Sequence, residues 1–254
     1  MHAMRSNFLG MAICGGLFSA LPAHAADFKP PQGCEVFMTV QMHNCQVANY
    51  YRCAADPEGD LWTAFADGEG IYYLSHIDSE TRWLESVSTD TGEIEMFDPG
   101  ASKDAPSFSA LLSDGKDDYD FVTRSNYRGL RRYVGSDALT GNSLSIDDVP
   151  LETITFDLRE DDQNGQTVAT RTGTQYISRK YRVFFSGAER FENDQGDVVS
   201  YDDSPVRFDF PGDPGFSTET PEYDCDLMMT EADLRPTRVS LAPLSRSFSK
   251  EALQ

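Results

Sequence analysis

The chain has 254 residues, and its 42 Asp and Glu against 21 Lys and Arg give a formal net charge of −21 at pH 7. Nucleic acids and anionic lipid headgroups repel a polyanion of this strength, so the composition argues against either as a partner. The negative charge either keeps the protein soluble or forms an acidic surface that binds cations or a basic partner.

The first 25 residues predict a cleaved secretory signal. Arg5 supplies a positive start, Phe8 to Leu21 form an apolar run, and Ala23-His24-Ala25 has the small-x-small pattern of a cleavage site. The run is too short to span a bilayer, and no later stretch approaches the roughly 20 apolar residues that a transmembrane helix needs. We therefore expect a mature chain that starts at Ala26, is periplasmic or secreted, and has no integral membrane segment.

The sequence contains five cysteines, of which Cys14 falls inside the predicted signal. The other four are Cys34, Cys45, Cys53 and Cys225. An even number of cysteines in an exported chain predicts two disulfides, because the compartment is oxidising. Lipid modification of Cys14 is the alternative for that residue, although the residues around it make a poor lipoprotein cleavage signal.

Short alternating apolar segments between Cys34 and Phe210 predict antiparallel strands in a meander. Long helical periodicity is missing from this region. The predicted strands are Glu35–Met42, Gln46–Arg52, Leu61–Ala66, Ile71–His76, Arg82–Ser88, Glu93–Phe97, Tyr119–Thr123, Leu130–Val134, Leu151–Leu158, Thr167–Ile177, Tyr181–Phe191 and Val198–Phe210.

Turn residues separate several of these strands, as at Asp67-Gly68 and Asp90-Thr91-Gly92. One short helix is predicted over Pro106 to Leu112, since its apolar residues recur at helical spacing. Gly115 follows where such a helix would end.

The geometry of the first hairpin predicts one disulfide. If His43-Asn44 forms a two-residue loop, Cys34 faces Cys53 across the hairpin and a disulfide can close its open end. This register makes the two cysteines a hydrogen-bonded pair, whose wider spacing suits a disulfide less well. It also places several apolar residues on the same face, which should be buried: Val36, Met38, Val40, Val47 and Tyr51.

Cys45 is then left to pair with Cys225, which would tie the end of the domain to its first hairpin. The strand pattern stops at Pro211–Phe216, so the segment up to Cys225 is expected to run as a loop across the sheet. We expect residues 26–229 to form a single disulfide-stapled β domain and residues 230–254 a poorly ordered, mildly basic tail.

Nucleophilic catalysis has little support in the sequence. Only His43 and His76 lie beyond the signal, and His43 is in the predicted hairpin turn. A triad would have to use His76, yet the chain has no Gly-x-Ser-x-Gly elbow, and a strand-end position explains this residue. No Cys-x-x-Cys motif is present, and His and thiolate ligands are too few for zinc. We predict no catalytic residue, no cofactor and no metal site.

The many acids leave two further possibilities. Glu160–Gly165 superficially resembles a calcium loop, but its closing position would be Arg171, and a cation there argues against a site. Glycoside hydrolysis needs two carboxylates across a cleft. With 42 acids, the sequence does not single out such a pair.

A local basic patch and the strand aromatics complete the candidate binding residues. Arg124, Arg128, Arg131 and Arg132 lie near Tyr127 and Tyr133, where they either receive a carboxylate or phosphate or neutralise Asp117, Asp118 and Asp120. Aromatic residues on the strands either line a ligand site or belong to the core: Trp62, Tyr72, Tyr73, Trp83, Tyr181, Phe184 and Phe185.

The segments Cys34–Cys45 and Tyr51–Gly59 resemble exported proteins of unassigned function from Gram-negative alphaproteobacteria. Asp147–Leu151, Phe184–Gly187 and Pro211–Phe216 extend the resemblance across most of the mature chain. The layout of a signal, a long meander and one short helix is also similar to the half-barrel proteins that carry lipoproteins across the periplasm. The half-barrel layout implies a strongly curved sheet or open half-barrel, and the resemblance to the exported proteins carries no known catalytic residues.

The sequence thus predicts a mainly β protein, a single antiparallel meander with one short helix. The leading functional hypothesis is a non-catalytic periplasmic binding or carrier protein for a hydrophobic small molecule. The alternatives are a secreted hydrolase that uses paired carboxylates and a cell-envelope interaction protein without a small ligand. The sequence leaves the oligomeric state open.

Overall fold

The computed structural model of the chain describes residues 27–226. The predicted signal at residues 1–25, with Cys14, and the predicted tail at residues 230–254 lie outside the described residues.

The described chain is mainly β, with 14 strands in one sheet and one helix. Strands and helix follow in the order β1 (Cys34–Met42), β2 (Gln46–Cys53), β3 (Leu61–Asp67), β4 (Gly70–Ile77), β5 (Trp83–Ser88), β6 (Ile94–Phe97), α1 (Phe108–Asp114), β7 (Lys116–Ser125), β8 (Gly129–Ile146), β9 (Val149–Asp161), β10 (Thr167–Ser178), β11 (Val183–Phe185), β12 (Ala188–Asn193), β13 (Val198–Asp202) and β14 (Pro205–Asp209).

The sheet is antiparallel, and each strand from β1 to β10 pairs with the next in the chain. It continues through β12 to β13, while β11 pairs with β10 off the main path. β14 then returns to the opposite edge and pairs with β1. The predicted antiparallel meander is confirmed, and the sheet is curved and open.

One face of the sheet turns inwards and forms the main core. Buried side chains of β1, β2 and β14 pack in one cluster with those of β9 and β11, so the sheet curves back upon itself. We call this the inner face, and the opposite one the outer face. The cluster contains Met38, Val40, Met42, Ala48, Tyr50, Leu61, Val149, Leu151, Val183, Phe185 and Phe208.

Two glycines permit the close strand contacts that accompany this curvature. A β-carbon on Gly135 would lie 2.1 Å from the carbonyl oxygen of Asp157, and one on Gly173 would lie 2.1 Å from that of Ala188. Both positions therefore require glycine, as at the bends of other curved sheets.

Helix α1 packs on the inner face through Phe108 and Leu111. It begins after Ser107, whose hydroxyl oxygen accepts a hydrogen bond from Ala110 N at 3.1 Å, and it ends at Gly115 with φ 79°. The predicted helix is confirmed, with its start and end two residues later than expected. Among the described residues, no helix has the length and apolar character needed to cross a membrane.

The first hairpin differs from the prediction at its turn. Met42 pairs with Gln46 rather than with Cys45, so the turn has three residues, of which Asn44 and Cys45 have φ of 58° and 56°. The predicted two-residue loop is therefore wrong. A bulge at Phe37 then shifts the register by one residue towards the open end of the hairpin.

The same bulge brings the two cysteines of the predicted disulfide directly opposite one another. Cys34 and Cys53 are opposite one another and disulfide-bonded, with their Cα atoms 3.9 Å apart. Ala54 N donates to Gly33 O at 2.9 Å, which flanks the cysteines and makes them a non-hydrogen-bonded pair. The disulfide is confirmed, whereas the wider spacing expected for it is wrong.

The bulge also divides the predicted single apolar face of the hairpin. Val36 and Tyr51 pack with the disulfide in a cluster on the outer face. Met38 and Val40 instead belong to the core of the inner face. One unpaired residue reverses the orientation of every side chain beyond it, because side chains alternate along a strand.

The segment after β14 crosses the outer face of β1 and β2, as predicted. Gln41 Nε2 donates to Thr220 O at 3.0 Å, and Asn49 Nδ2 donates to Thr218 O at 2.8 Å. The Cys45–Cys225 disulfide holds the end of this segment, which confirms the second predicted pairing.

Three of the predicted strands differ most from the structure. β8 continues to Ile146, well beyond the expected end at Val134. The predicted strands Tyr181–Phe191 and Val198–Phe210 are each divided in two, with breaks at Ser186-Gly187 and Asp203-Ser204.

Candidate functional site on the inner face

Trp83 is a large aromatic residue on the inner face whose side chain is partly exposed to solvent. Pairing between β4 and β5 shifts so that Trp83 lies opposite Ile77 and Leu84 has no partner. The Trp83 ring stands edge-on to the rings of Phe121 and Tyr133, with 5.6 Å between centroids in each case. The residue is nevertheless 46% exposed, so solvent reaches the inner face at this position.

Trp83 covers a set of buried rings. Phe121 and Tyr133 stack with their centroids 5.1 Å apart, and they are only 3% and 5% exposed. The inner face is therefore filled with side chains beneath Trp83. We call this set the aromatic cluster: Trp83, Phe97, Tyr119, Phe121 and Tyr133.

A group of ionised side chains adjoins the aromatic cluster. Arg128, in the turn between β7 and β8, donates to Glu93 Oε1 at 2.6 Å, to Glu95 Oε2 at 2.7 Å and to Glu160 Oε1 at 3.1 Å. Burial alone would lower the pKa of Arg128, but its hydrogen bond to Glu93 and the charges of the other carboxylates outweigh burial, and the pKa is raised. We call these four residues the ionic cluster.

Tyr133 belongs to both clusters. Its ring stacks on Phe121, and its hydroxyl donates to Glu95 Oε1 at 2.8 Å. The Thr123 hydroxyl also donates to that oxygen. Burial raises the pKa of the Tyr133 phenol well above its ordinary value, so the group remains a proton donor.

Arg131 lies beside the ionic cluster with hydrogen-bonding capacity to spare. Its Nε is 3.3 Å from Glu160 Oε1 but makes no hydrogen bond, and it is the one buried side-chain nitrogen or oxygen of residues 27–226 without such a partner. Burial raises the pKa of Glu160, and the charges of Arg128 and Arg131 oppose this shift. A buried donor without an acceptor is costly, and the ion pair with Glu160 offsets part of this cost at Arg131.

The four arginines that the sequence grouped into one patch are separated in the structure. Two of them, Arg128 and Arg131, lie beside the glutamates described above. Arg132 donates to Asp120 Oδ1 at 2.6 Å, so neutralisation of a nearby acid applies to this pair. Arg124 pairs with Asp98 at 2.5 Å instead.

The two histidines lie outside the inner-face site. His76 is on β4, where its ring stacks on Trp62 at 4.3 Å between centroids and its Nε2 is 3.0 Å from Asp60 Oδ2. His43 is in the first hairpin turn, and its Nδ1 is 2.5 Å from Asp224 Oδ2. Each ring is thus paired with a carboxylate.

The structure brings two acids together at the other end of the aromatic cluster. Asp117 and Asp137 are opposite one another on β7 and β8. Burial, followed by the charge of Asp117, raises the pKa of Asp137 to about 7. Tyr119 donates to Asp137 Oδ1 at 3.4 Å, and Ser107 N donates to Asp117 Oδ2 at 2.8 Å.

The segment that resembled a calcium loop forms a turn. Asp162 Oδ1 accepts hydrogen bonds from Asn164 N at 2.8 Å and Gln166 N at 2.9 Å, while Glu160 belongs to the ionic cluster. Among residues 27–226, no group of three or more His, Cys, Asp or Glu is arranged to hold a metal ion.

Of the aromatic cluster, the sequence singled out Trp83 among the strand aromatics and Tyr133 beside the basic patch, but not Phe97, Tyr119 or Phe121. It did not select Glu93 or Glu95, because nothing in their local pattern distinguishes them from exposed acids. Comparisons of the chain with family models, with curated proteins and with solved structures find no match. The resemblance to exported alphaproteobacterial proteins stays a prediction.

Proposed function

We propose that the chain is a non-catalytic binding protein of the periplasm or the secreted space, and that it holds a hydrophobic small molecule on its inner face at Trp83. The observation that carries this proposal is the half-exposed Trp83 ring, which faces inwards and covers Phe121 and Tyr133. An apolar ligand on these rings would remove aromatic surface from water, which is favourable in proportion to the area covered.

The contact surface for the ligand lies at the opening, because the core beneath it is full. Met38 and Val40 are completely buried at the apolar end of the inner face. A ligand would therefore lie over the aromatic cluster rather than in a deep cavity.

The ionic cluster indicates the polar chemistry of the ligand. Arg131 Nε is enclosed by the protein, with Glu160 Oε1 at 3.3 Å, so a ligand at the opening meets the cluster through its charges. Glu93, Glu95 and Glu160 lie nearby, and their negative charges would repel an anionic headgroup. A neutral, largely apolar molecule suits this setting best.

A hydrolase is the second candidate function, on the strength of one observation. Asp117 and Asp137 face one another, and the pKa of Asp137, raised to about 7, is that of a group able to act as a general acid near neutral pH. Loss of a measured hydrolytic activity in D137N, with the fold intact, would support this alternative.

Fluorescence offers a direct test, because the chain has only two tryptophans. In the variant W62F, Trp83 is the remaining fluorophore, and a neutral apolar probe such as N-phenyl-1-naphthylamine should quench it by energy transfer with saturation. We expect W83A to weaken binding of the probe at least tenfold. W62F is the matched control, because Trp62 packs on the outer face. The affinity of W62F for the probe should equal that of the wild type.

Two results would contradict the proposal: the absence of saturable binding, or an affinity that W83A leaves unchanged. Native mass spectrometry of protein purified from the periplasm adds an independent measurement. A small molecule released on denaturation from the wild type, and absent from W83A, would identify the natural ligand.

A further inference from the structure

A cavity of about 310 Å³ lies at the open end of the first hairpin, and we call it the hairpin cavity. The bulge at Phe37 supplies an aromatic wall, and the Cys34–Cys53 disulfide holds the ends of β1 and β2 together beside it. The volume is at the lower end of the range for small-molecule sites, so the cavity suits a small molecule that carries a ring. The residues around it are Gly33, Glu35, Phe37, Arg52, Cys53 and Ala54.

Arg52 lies over Phe37 beside this cavity. Its guanidinium carbon is 4.0 Å from the centroid of the Phe37 ring, a cation–π contact that holds the side chain in place. Within residues 27–226, the Arg52 side chain forms neither a hydrogen bond nor an ion pair. Every other arginine of that range forms an ion pair with a carboxylate. In an acidic chain, this exception leaves a set of cationic donors at the cavity.

Tyr181 extends the aromatic surface beside Arg52. Its ring centroid is 5.9 Å from that of Phe37 and 6.0 Å from that of Phe210, and all three rings are partly buried against the main core. Lys180 Nζ lies 4.7 Å from the Tyr181 centroid and forms no ion pair with the part of the chain that the structure describes. Two cations without carboxylate partners therefore adjoin one apolar surface.

The Tyr181 phenol adds a neutral donor near Arg52. Burial lowers the pKa of Arg52, and the interaction with the Tyr181 phenol opposes this shift, while the guanidinium stays cationic at neutral pH. The Tyr181 hydroxyl has no hydrogen-bond partner among the described residues. A hydrogen-bond acceptor held in the cavity therefore meets one charged and one neutral donor.

We propose that the hairpin cavity binds a small aromatic carboxylate, whose ring lies against Phe37 and Tyr181 and whose carboxylate pairs with Arg52. A planar guanidinium donates two parallel hydrogen bonds to the two oxygens of a carboxylate. The neighbouring rings remove the apolar part of the ligand from water. Lys180 adds positive potential on the approach to the site.

Glu35 narrows the class of anion that the cavity accepts. It lies opposite Arg52 in the pairing of β1 with β2 and also lines the cavity, yet the two side chains form no ion pair. Its negative charge opposes a bound anion, and the repulsion grows with the charge of the ligand. A carboxylate with a single charge therefore suits the cavity better than a phosphate ester with two.

The hairpin cavity is distinct from the site proposed at Trp83. Phe37 and Tyr181 pack against the main core, whereas Trp83 packs on Phe121 and Tyr133 of the aromatic cluster. The glutamates beside the aromatic cluster repel anions, whereas the hairpin cavity presents cations without carboxylate partners. The two sites therefore select ligands of different charge.

Nuclear magnetic resonance titration with phenylacetate tests the proposal. We expect saturable shifts of the Gly33, Cys53 and Ala54 amides, which line the cavity. Phenylacetamide has the same shape without the charge, and it should bind about tenfold more weakly or worse, because it forms no charged pair with Arg52. Phenyl phosphate keeps the ring and adds charge, and it should also bind more weakly than phenylacetate.

Two variants locate the carboxylate. R52Q should weaken phenylacetate binding about tenfold or more, since it removes the charged donor. R190Q is the matched control, because Arg190 pairs with Glu192 while 49% of its side chain is exposed, and its affinity for phenylacetate should equal that of the wild type. W83A should also keep this affinity, even if binding of the neutral probe at Trp83 fails.

Four outcomes would overturn the proposal. The first is no saturable shift at the cavity, and the second is equal binding of phenylacetate and phenylacetamide. The third is an affinity that R52Q leaves unchanged, and the fourth is loss of phenylacetate binding in W83A, which would place the ligand at the other site. Tighter binding of phenyl phosphate than of phenylacetate would overturn the choice of a carboxylate.

Discussion

The hydroxyl of Tyr133 donates a hydrogen bond of 2.8 Å to Glu95 on the inner face of the sheet. The same residue stacks on Phe121 and meets the edge of Trp83, so one side chain joins the apolar and ionic parts of the candidate site. A change to this hydrogen bond should therefore affect the ionic cluster without removing the apolar surface proposed to bind a ligand.

The variant Y133F tests this separation. It keeps the ring but removes the donor, and a hydrogen bond to a charged group contributes about 1.5–3 kcal/mol. We expect the free energy of unfolding in urea to fall by that amount, with probe binding at Trp83 retained. The control is Y127F, because Tyr127 is 55% exposed and its loss of a hydroxyl should be neutral. Equal stabilities of the two variants would show that the Glu95 contact contributes nothing.

The variant R128M removes the positive centre of the ionic cluster. Glu93, Glu95 and Glu160 would then remain partly buried without their shared cation, and the loss of one partner from a buried ion pair costs about 3–5 kcal/mol. The cost should shrink as the pH falls, because burial raises the pKa of Glu160 and its protonation removes one of the unpaired charges.

Urea unfolding at pH 7 and at pH 4.5 measures both effects. The matched control is R124M, because Arg124 forms an ion pair with Asp98 while 62% of its side chain is exposed. Such a solvent-screened pair contributes little to stability. A loss in R128M as small as that in R124M would count against a structural role for the ionic cluster.

Alternation, turn residues and cysteine number predicted much of this fold. The strands of the first hairpin, the single helix between Ser107 and Gly115 and the Cys34–Cys53 disulfide follow from local patterns, and the Cys45–Cys225 disulfide then follows by elimination. The polar end of β8 was missed because Thr140 to Ser143 is exposed on both faces, so no alternation marks it as a strand.

The candidate site was harder to predict, because it depends on two kinds of information that the sequence pattern lacks. Trp83 lies on the inner face because Leu84 is an unpaired bulge residue. A bulge does not change the types of residue along a strand, so the sequence pattern does not reveal it. Glu95 and Glu160 meet at Arg128 only through the pairing of distant strands. In an acidic chain, neither glutamate is distinguishable beforehand from a solvated one.

Asp137 should make stability depend on pH. Its pKa is raised to about 7 in the folded protein, against roughly 4 in an unfolded chain, so the folded state binds more protons between these values. This group therefore stabilises the fold most at low pH, and its contribution is lost as the pH rises from about 4 through about 7.

The variant D137N keeps a neutral side chain at every pH. Relative to the wild type, we expect it to gain stability by up to about 1.4 kcal/mol per pH unit across that window and to level off above it. Thermal or urea unfolding from pH 4 to pH 8 gives the comparison. D118N is the control, since the Asp118 side chain is 69% exposed, and its profile should run parallel to that of the wild type. If the profile of D137N also ran parallel to that of the wild type, the raised pKa of Asp137 would be refuted.

The two disulfides should contribute unequally to stability. They close loops with sequence separations of 19 and 180 residues, and the chain-entropy model assigns about 3 kcal/mol to the shorter and about 5 kcal/mol to the longer. Replacement of Cys45 and Cys225 by serine should therefore cost more than replacement of Cys34 and Cys53. Denaturant unfolding of the two double variants measures this difference.

Local exchange should distinguish the two losses further. Without the Cys45–Cys225 bond, the segment that hydrogen-bonds to Gln41 and Asn49 loses its anchor on the outer face. We expect the amide of Glu222, which donates to Gln41 Oε1 at 2.9 Å, to exchange faster in that variant and to keep its rate when Cys34 and Cys53 are replaced. Equal exchange in both variants would mean that hydrogen bonds alone hold the crossing segment to β1 and β2.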